Sequence, residues 1–127
     1  MVVLILVGLG GLLGSIARYL ISVSLSDFSF FSSAFPYGTF VVNIAGCFLM
    51  GVFYGLSKTY HWFDSSLVLF LITGFCGGFT TFSSFSYENI DLIQRAEYLA
   101  FAVYSIASFV LGLLAVIAGL MITKYFF

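Results

Sequence analysis

The sequence predicts an all-α integral membrane protein of four transmembrane helices, and three observations predict it. Charges are few, they cluster, and the stretches between them are apolar. Of 127 residues, 62% are hydrophobic and 7% charged, against roughly a quarter charged in a soluble domain. No Asp, Glu, Lys or Arg occurs in 1–17, 28–57, 65–87 or 98–123. Each window accommodates the ~20 apolar residues that cross a ~30 Å hydrocarbon core, the first by running slightly past Arg18. Four windows mean four spans.

Helix 1 is expected over about 2–23, with Arg18 near its far end. It lacks the basic start and small-residue cleavage site of a secretory signal, so it reads as a retained span. The connection 24–35 is rich in Ser and Phe and suits a membrane interface. Pro36 opens helix 2, in a first-turn position that helices tolerate, and helix 2 runs over about 36–57. Lys58 to Asp64 form a short loop in which Tyr60 and Trp62 anchor at the headgroups. Helix 3 covers about 66–95 and helix 4 about 97–125. No loop is long enough to fold by itself, so residues 1–127 form a single domain.

Cys47 and Cys76 fall inside spans without any metal-ligand spacing and read as small apolar fillers. His61 reads as solvated, and a net charge of −1 gives no footprint for nucleic acid. Gly10 and Gly14, Gly51 and Gly55, and Gly74 and Gly78 are spaced as small-xxx-small pairs. The first two pairs read as ordinary helix packing. Lys58 and Lys124 fall on the side of the N-terminus, Arg18 and Arg95 on the other. Orientation follows the Lys/Arg bias between the two sides, and here there is none. Insertion in both directions would supply both halves of an antiparallel dimer, which four short helices also favour by enclosing so little volume.

The most specific segment is Gly74-Phe75-Cys76-Gly77-Gly78-Phe79-Thr80-Thr81-Phe82-Ser83-Ser84-Phe85-Ser86. Adjacent glycines followed by two β-branched threonines make a weak helix in the middle of the third span. A break there frees backbone carbonyls, which are hard oxygen ligands for an alkali or alkaline-earth cation. Phe82 and Phe85, three apart, share a helix face. Each feature has a bland reading: paired Phe usually pack, and Ser or Thr in a span usually bond back to their own helix. Their concentration in one segment is harder to dismiss.

This segment resembles the signature of the Fluc/CrcB fluoride-channel family. Two further stretches carry the resemblance: Gly10-Gly11-Leu12-Leu13-Gly14-Ser15-Ile16-Ala17-Arg18, and Pro36-Tyr37-Gly38-Thr39-Phe40-Val41-Val42-Asn43-Ile44-Ala45-Gly46. The resemblance implies a fluoride-selective channel in the bacterial inner membrane, mediating passive fluoride efflux. It also implies an antiparallel, dual-topology homodimer in the lipid bilayer, with the third helix broken mid-membrane. Phe82 and Phe85 match the paired rings whose edges face fluoride, and Asn43 the asparagine that donates its amide to the ion. Ser83 and Ser84 add hydroxyls beside them. Tyr104 and Ser108 match part of a polar track, with Gly112 one turn on where a hydroxyl is expected. Arg18 matches a vestibule arginine. The carbonyls of Gly77 and Thr80 match the ligands of a structural sodium ion at the dimer centre.

The chemistry agrees with these roles. Fluoride is tightly hydrated, so its pore must supply close donors, and amides and hydroxyls are donors. Aromatic edges carry the positive part of the ring quadrupole, so Phe can face an anion without holding it fast. The alternative is a small dual-topology four-helix transporter, drug-exporter-like. Proton coupling needs an ionisable group within the membrane, whereas Asp27, Asp64, Glu88, Asp91 and Glu97 are all expected at or near span ends. No acid or base pairs with the hydroxyls inside the membrane, so an enzyme is not expected.

Overall fold

The computed structural model describes residues 1–27, 30 and 32–127; Phe28, Ser29 and Phe31, in the connection after helix 1, lie outside the described residues. All regular structure among the described residues is helical: α1 Val2–Ser24, α2 Tyr37–Thr59, α3 Ser65–Val68, a π-helical stretch Leu69–Cys76, α4 Gly77–Phe79, α5 Phe82–Gln94 and α6 Tyr98–Phe126. Among these residues four helical runs are long and apolar enough to cross a membrane, the third being Ser65–Gln94. The shortest, at 23 residues, extend ~35 Å at ~1.5 Å per residue, against a ~30 Å hydrocarbon core.

Local chemistry sets the helix ends. Pro36 stands at the N-cap of α2 (φ −83°, ψ 76°), so the helix begins one residue later than expected, and the missing N–H of Pro36 leaves no bond unmade. Asp64 caps α3, its Oδ1 accepting from Ser66 N at 3.1 Å and Leu67 N at 3.2 Å. Lys58 and Lys124 sit in the last turns of α2 and α6, where a cation complements the helix dipole. Between α5 and α6 the chain reverses through Ala96, whose φ of 58° is left-handed. Glu97 N returns to the Leu92 carbonyl at 2.9 Å and Ala96 N to Ile93 at 3.0 Å, closing α5 in the manner of a Schellman turn.

Glycines bring the spans together. A Cβ on Gly10 would strike the Phe70 carbonyl and one on Gly14 the Phe75 carbonyl, while one on Gly78 would stand 2.6 Å from the Gly11 carbonyl. Gly74 and Gly78 are therefore the counterpart of Gly10 and Gly14 in a close crossing of α1 with the third span. That crossing accounts for a pair which the sequence left inside the unusual segment. In the same way Gly51 faces Val116, Gly55 faces Thr123 and Gly119 faces Phe48. The pairs Cys47–Gly112, Gly51–Val116 and Gly55–Thr123 rise together, so α2 and α6 run parallel. A core of Phe35, Leu92, Ala100 and Tyr104 seals the end where α2 and α6 begin. Large apolar side chains elsewhere face outward, among them Leu4, Leu20, Ile106 and Phe109, as a lipid-facing surface requires.

Candidate functional site

Helical geometry stops at two residues of the third span. Thr80 (φ −86°, ψ 156°) and Thr81 (φ −148°, ψ 121°) are extended between α4 and α5. The glycines themselves stay helical, with Gly77 at φ −63°, ψ −38°; the β-branched pair after them carries the change.

Backbone groups freed there are met by side chains from other spans. Asn43, on α2, bonds Thr81 twice: its Nδ2 donates to the Thr81 carbonyl at 3.1 Å, and its Oδ1 accepts from Thr81 N at 2.9 Å. Arg18, on α1, donates Nε to the Gly78 carbonyl at 3.2 Å. Thr81 Oγ1 caps α5 by accepting from Ser84 N at 3.2 Å, and Thr80 Oγ1 donates back to the Cys76 carbonyl at 2.8 Å.

Four carbonyls, from Gly77 to Thr80, lose their helical donors in this exchange. In a continuous helix Thr81 N would bond to Gly77 O, and Ser84 N to Thr80 O. Both amides are diverted, to Asn43 and to Thr81 Oγ1. The Gly78 carbonyl is met by Arg18, whereas Gly77 and Thr80 belong to the set stripped of helical donors. The side chain of Thr80 is locked in turn, since its Cγ2 occupies the space a Cβ on Gly46 would need.

Beside the extended pair lies a cavity of about 370 Å³ whose lining includes Asn43, Thr80, Phe82, Phe85, Ser108 and Cys47. Among the described residues none of its lining is acidic or basic. Asn43 has spent one amide N–H on Thr81 and keeps the other. Ser108 Oγ is buried without a hydrogen-bond partner among the described residues, which in an apolar span costs about 1–3 kcal/mol unless a ligand engages it. The Phe82 and Phe85 rings are 6.0 Å apart, centre to centre, and tilted by 34°. Phe82 is 79% exposed in the single chain, whereas Phe85 packs on Tyr104 with centroids 4.9 Å apart.

The remaining residues singled out from the sequence lie around this cavity rather than in its wall. Ser83 Oγ is 3.3 Å from Thr81 Oγ1, and Ser84 contributes its backbone amide to the cap. Arg18 is engaged with Gly78, and Gly77 is exposed with no atom within 4 Å of where a Cβ would stand. Tyr104 is fully buried, and its hydroxyl donates to Glu88 Oε1 at 2.9 Å. A tyrosine hydroxyl has a single proton, and this one is spent on a carboxylate.

A family model described as CrcB-like protein, Camphor Resistance (CrcB), matches residues 5–120. This chain belongs to the CrcB family. It is 46% identical to the fluoride-specific ion channel FluC of Azobacteroides pseudotrichonymphae genomovar. CFP2, over 95% of each chain. FluC of Flavobacterium psychrophilum is 47% identical, over 93% of this chain and 94% of its own. FluC of Rhizobium johnstonii is 48% identical over 98% of both. With four apolar helices, such relatives place this CrcB chain among multi-pass bacterial membrane proteins.

Within this CrcB chain Glu88 has partners that sequence reasoning did not foresee. It was expected at or near a span end, and it lies within α5, in the later part of the run Ser65–Gln94. Its Oε2 accepts from Thr39 Oγ1 at 2.9 Å while Oε1 takes the Tyr104 proton, so two hydroxyls satisfy a carboxylate that the length of α5 carries into the membrane-spanning run. A second cavity of about 190 Å³ adjoins it, lined by Ser22, Ser26, Ser33, Tyr37, Thr39 and Glu88 among others. The signal was available: Glu88 is three residues beyond Phe85, on the same helix face.

Proposed function

We propose that this chain is a fluoride-selective channel that lets fluoride leave the cell passively, a conduit and not an enzyme. One observation carries the reading: a cavity without acidic or basic walls gathers a spare amide N–H, an unpartnered buried hydroxyl and two neighbouring phenylalanine rings. The curated relatives are fluoride-specific ion channels, and the donors suit a small, hard anion. Asn43 and Ser108 replace its water, Phe82 and Phe85 present ring edges, and the absence of a cation in the wall leaves the ion free to move on. Ser83, Ser84 and Tyr104 border this track, and Arg18 stands at its vestibule. An exporter would use Glu88 as its intramembrane acid, but the hydroxyls of Thr39 and Tyr104 both donate to it. Loading purified protein into fluoride-filled liposomes and recording efflux with a fluoride electrode tests the function; a leak no faster than that of empty liposomes refutes it.

The working unit in this reading is an antiparallel dimer of oppositely inserted chains. Exposed Phe82 and the open space over Gly77 lie on a face that a second copy would cover, and the extended Thr80–Thr81 pair would then sit near the bilayer midplane. Reporters fused to the C-terminus are expected on both sides of the membrane, following the two-against-two balance of basic residues. A population wholly on one side, in cells with no paralogue, contradicts dual insertion.

Gly77 and Thr80 fit a sodium ion, because their carbonyls are hard oxygens and are among those stripped of helical donors. Bound there, sodium would offset the carbonyl dipoles and raise the local potential for an anion. Gly77→Ala separates contacts within the chain from contacts between chains. Gly77 has helical dihedrals and no neighbour that a Cβ would touch, so alanine should favour the isolated helix, by up to ~1 kcal/mol. The expected result is nonetheless a loss of fluoride efflux of at least ~10-fold, equivalent to ~1.4 kcal/mol on the barrier, because the methyl intrudes where the second copy and the cation belong. Wild-type efflux and elution from Gly77→Ala contradict the placement.

A further inference from the structure

Helix α5 carries both phenylalanines, yet it is held thinly. Of its 13 residues only Asn89 and Leu92 are buried, while Phe82, Tyr87 and Ile90 are 79%, 72% and 53% exposed. Its contact with α6 is a narrow seam. Along it Phe85 meets Tyr104, Glu88 takes the Tyr104 proton, Asn89 meets Ser105, and Leu92 joins the buried core with Ala100 and Tyr104.

Asn89 is placed at the middle of this seam and joined in both directions. Its Oδ1 accepts from Ser105 Oγ at 3.0 Å, and its Nδ2 donates to the Phe85 carbonyl at 3.1 Å. Phe85 and Asn89 are four residues apart and share a face of α5. A leucine would fill the same space without the expense of burying an amide, so close packing alone does not call for asparagine. Nor is stability a sufficient reason, since hydrogen bonds between membrane helices contribute little on average. What the bond adds is a second point of attachment. Glu88 and Asn89 are adjacent, ~100° apart around the helix, so Glu88 fixes only one direction by hydrogen bonds, and the apolar contacts of Phe85 and Leu92 can slide. Directional holds on both residues stop the turn, and with it the sweep of the Phe82 and Phe85 rings across the cavity.

We propose that Asn89 and Ser105 form a rotational clamp on α5, a pair of positioning residues that set fluoride throughput and selectivity by fixing the azimuth of Phe82 and Phe85. The proposal rests on the reading of those two rings as pore walls. The test measures fluoride and chloride efflux from liposomes for wild type, Asn89→Leu, Ser105→Ala and Ser105→Thr, each checked for unchanged elution. Asn89→Leu and Ser105→Ala are expected to slow fluoride ~10-fold, the scale on which a displacement of about an ångström acts, and to raise chloride relative to fluoride. Ser105→Thr keeps the hydroxyl and is expected to stay close to wild type in both respects. If Asn89→Leu does not fold, Ser105→Ala carries the comparison alone. Wild-type rates and selectivity in Ser105→Ala overturn the clamp, as does a Ser105→Thr protein as slow as Ser105→Ala, which would make volume the cause. If Phe82→Ile and Phe85→Ile also conduct as wild type, the pore reading has failed and the clamp falls with it. If those two are slow while Ser105→Ala is normal, only the clamp has failed.

Discussion

Phe82→Ile and Phe85→Ile each slow fluoride efflux at least ~10-fold, the equivalent of ~1.4 kcal/mol on the barrier, in protein that still folds. The swap removes the ring edge and keeps an apolar side chain of useful bulk, and such swaps usually cost under about 1.5 kcal/mol of stability. The two positions differ in how cleanly they report. Phe82 is 79% exposed in the single chain, so isoleucine there disturbs little of the chain's own structure. Phe85 packs 4.9 Å from the Tyr104 ring, and an aromatic pair contributes about 0.5–1.5 kcal/mol beyond its buried area. Thermal unfolding in detergent should therefore show Phe85→Ile as the less stable of the two. Efflux, compared at equal amounts of protein with unchanged elution, should nonetheless fall in both. Wild-type flux through both folded variants would make the rings packing residues and move the pore elsewhere on α2 and α6.

Asn43→Leu is expected to be the most damaging single change. It removes both bonds to Thr81 and leaves that residue's N–H and carbonyl without their side-chain partner. Each unsatisfied buried group costs ~1–3 kcal/mol, so a loss of ~2–6 kcal/mol is expected together with the loss of efflux. Asn43→Asp divides the two roles. A carboxylate still accepts from Thr81 N but offers the ion no donor and adds a negative charge to the cavity wall. Asn43→Asp should therefore unfold closer to wild type than Asn43→Leu does, while conducting fluoride no better. Equal unfolding of wild type and Asn43→Leu would mean that the extended residues do not depend on Asn43. Efflux from Asn43→Asp at the wild-type rate would remove the amide from the fluoride path.

The four spans were legible because hydropathy is local: a charge-free window of spanning length needs no partner to be read. The cavity was partly legible. Asn43, Thr80, Phe82, Phe85 and Ser108 all belong to motifs recognisable by residue type, and the structure brings them to one wall. Other features were not visible in a line of residues. Asn43 and Thr81 are 38 positions apart, so the double bond that explains why α4 stops is a tertiary fact. Gly74 and Gly78 looked like part of a helix break, whereas they clear space for α1, and a spacing rule cannot tell the two uses apart. The partners of Glu88 were not legible either. Charge marks span ends coarsely and says nothing of the two hydroxyls from other helices that satisfy this carboxylate.

The central claim is that an uncharged cavity of donors and ring edges passes fluoride and holds back other halides. Proteoliposomes containing the wild-type chain, loaded with equal potassium fluoride and potassium chloride and opened with valinomycin, test it most directly. Electrodes for the two ions are read side by side. The account predicts a rapid release of fluoride with chloride no faster than from liposomes without protein. Chloride leaving alongside fluoride, or neither ion leaving faster than the empty-liposome leak, would contradict it.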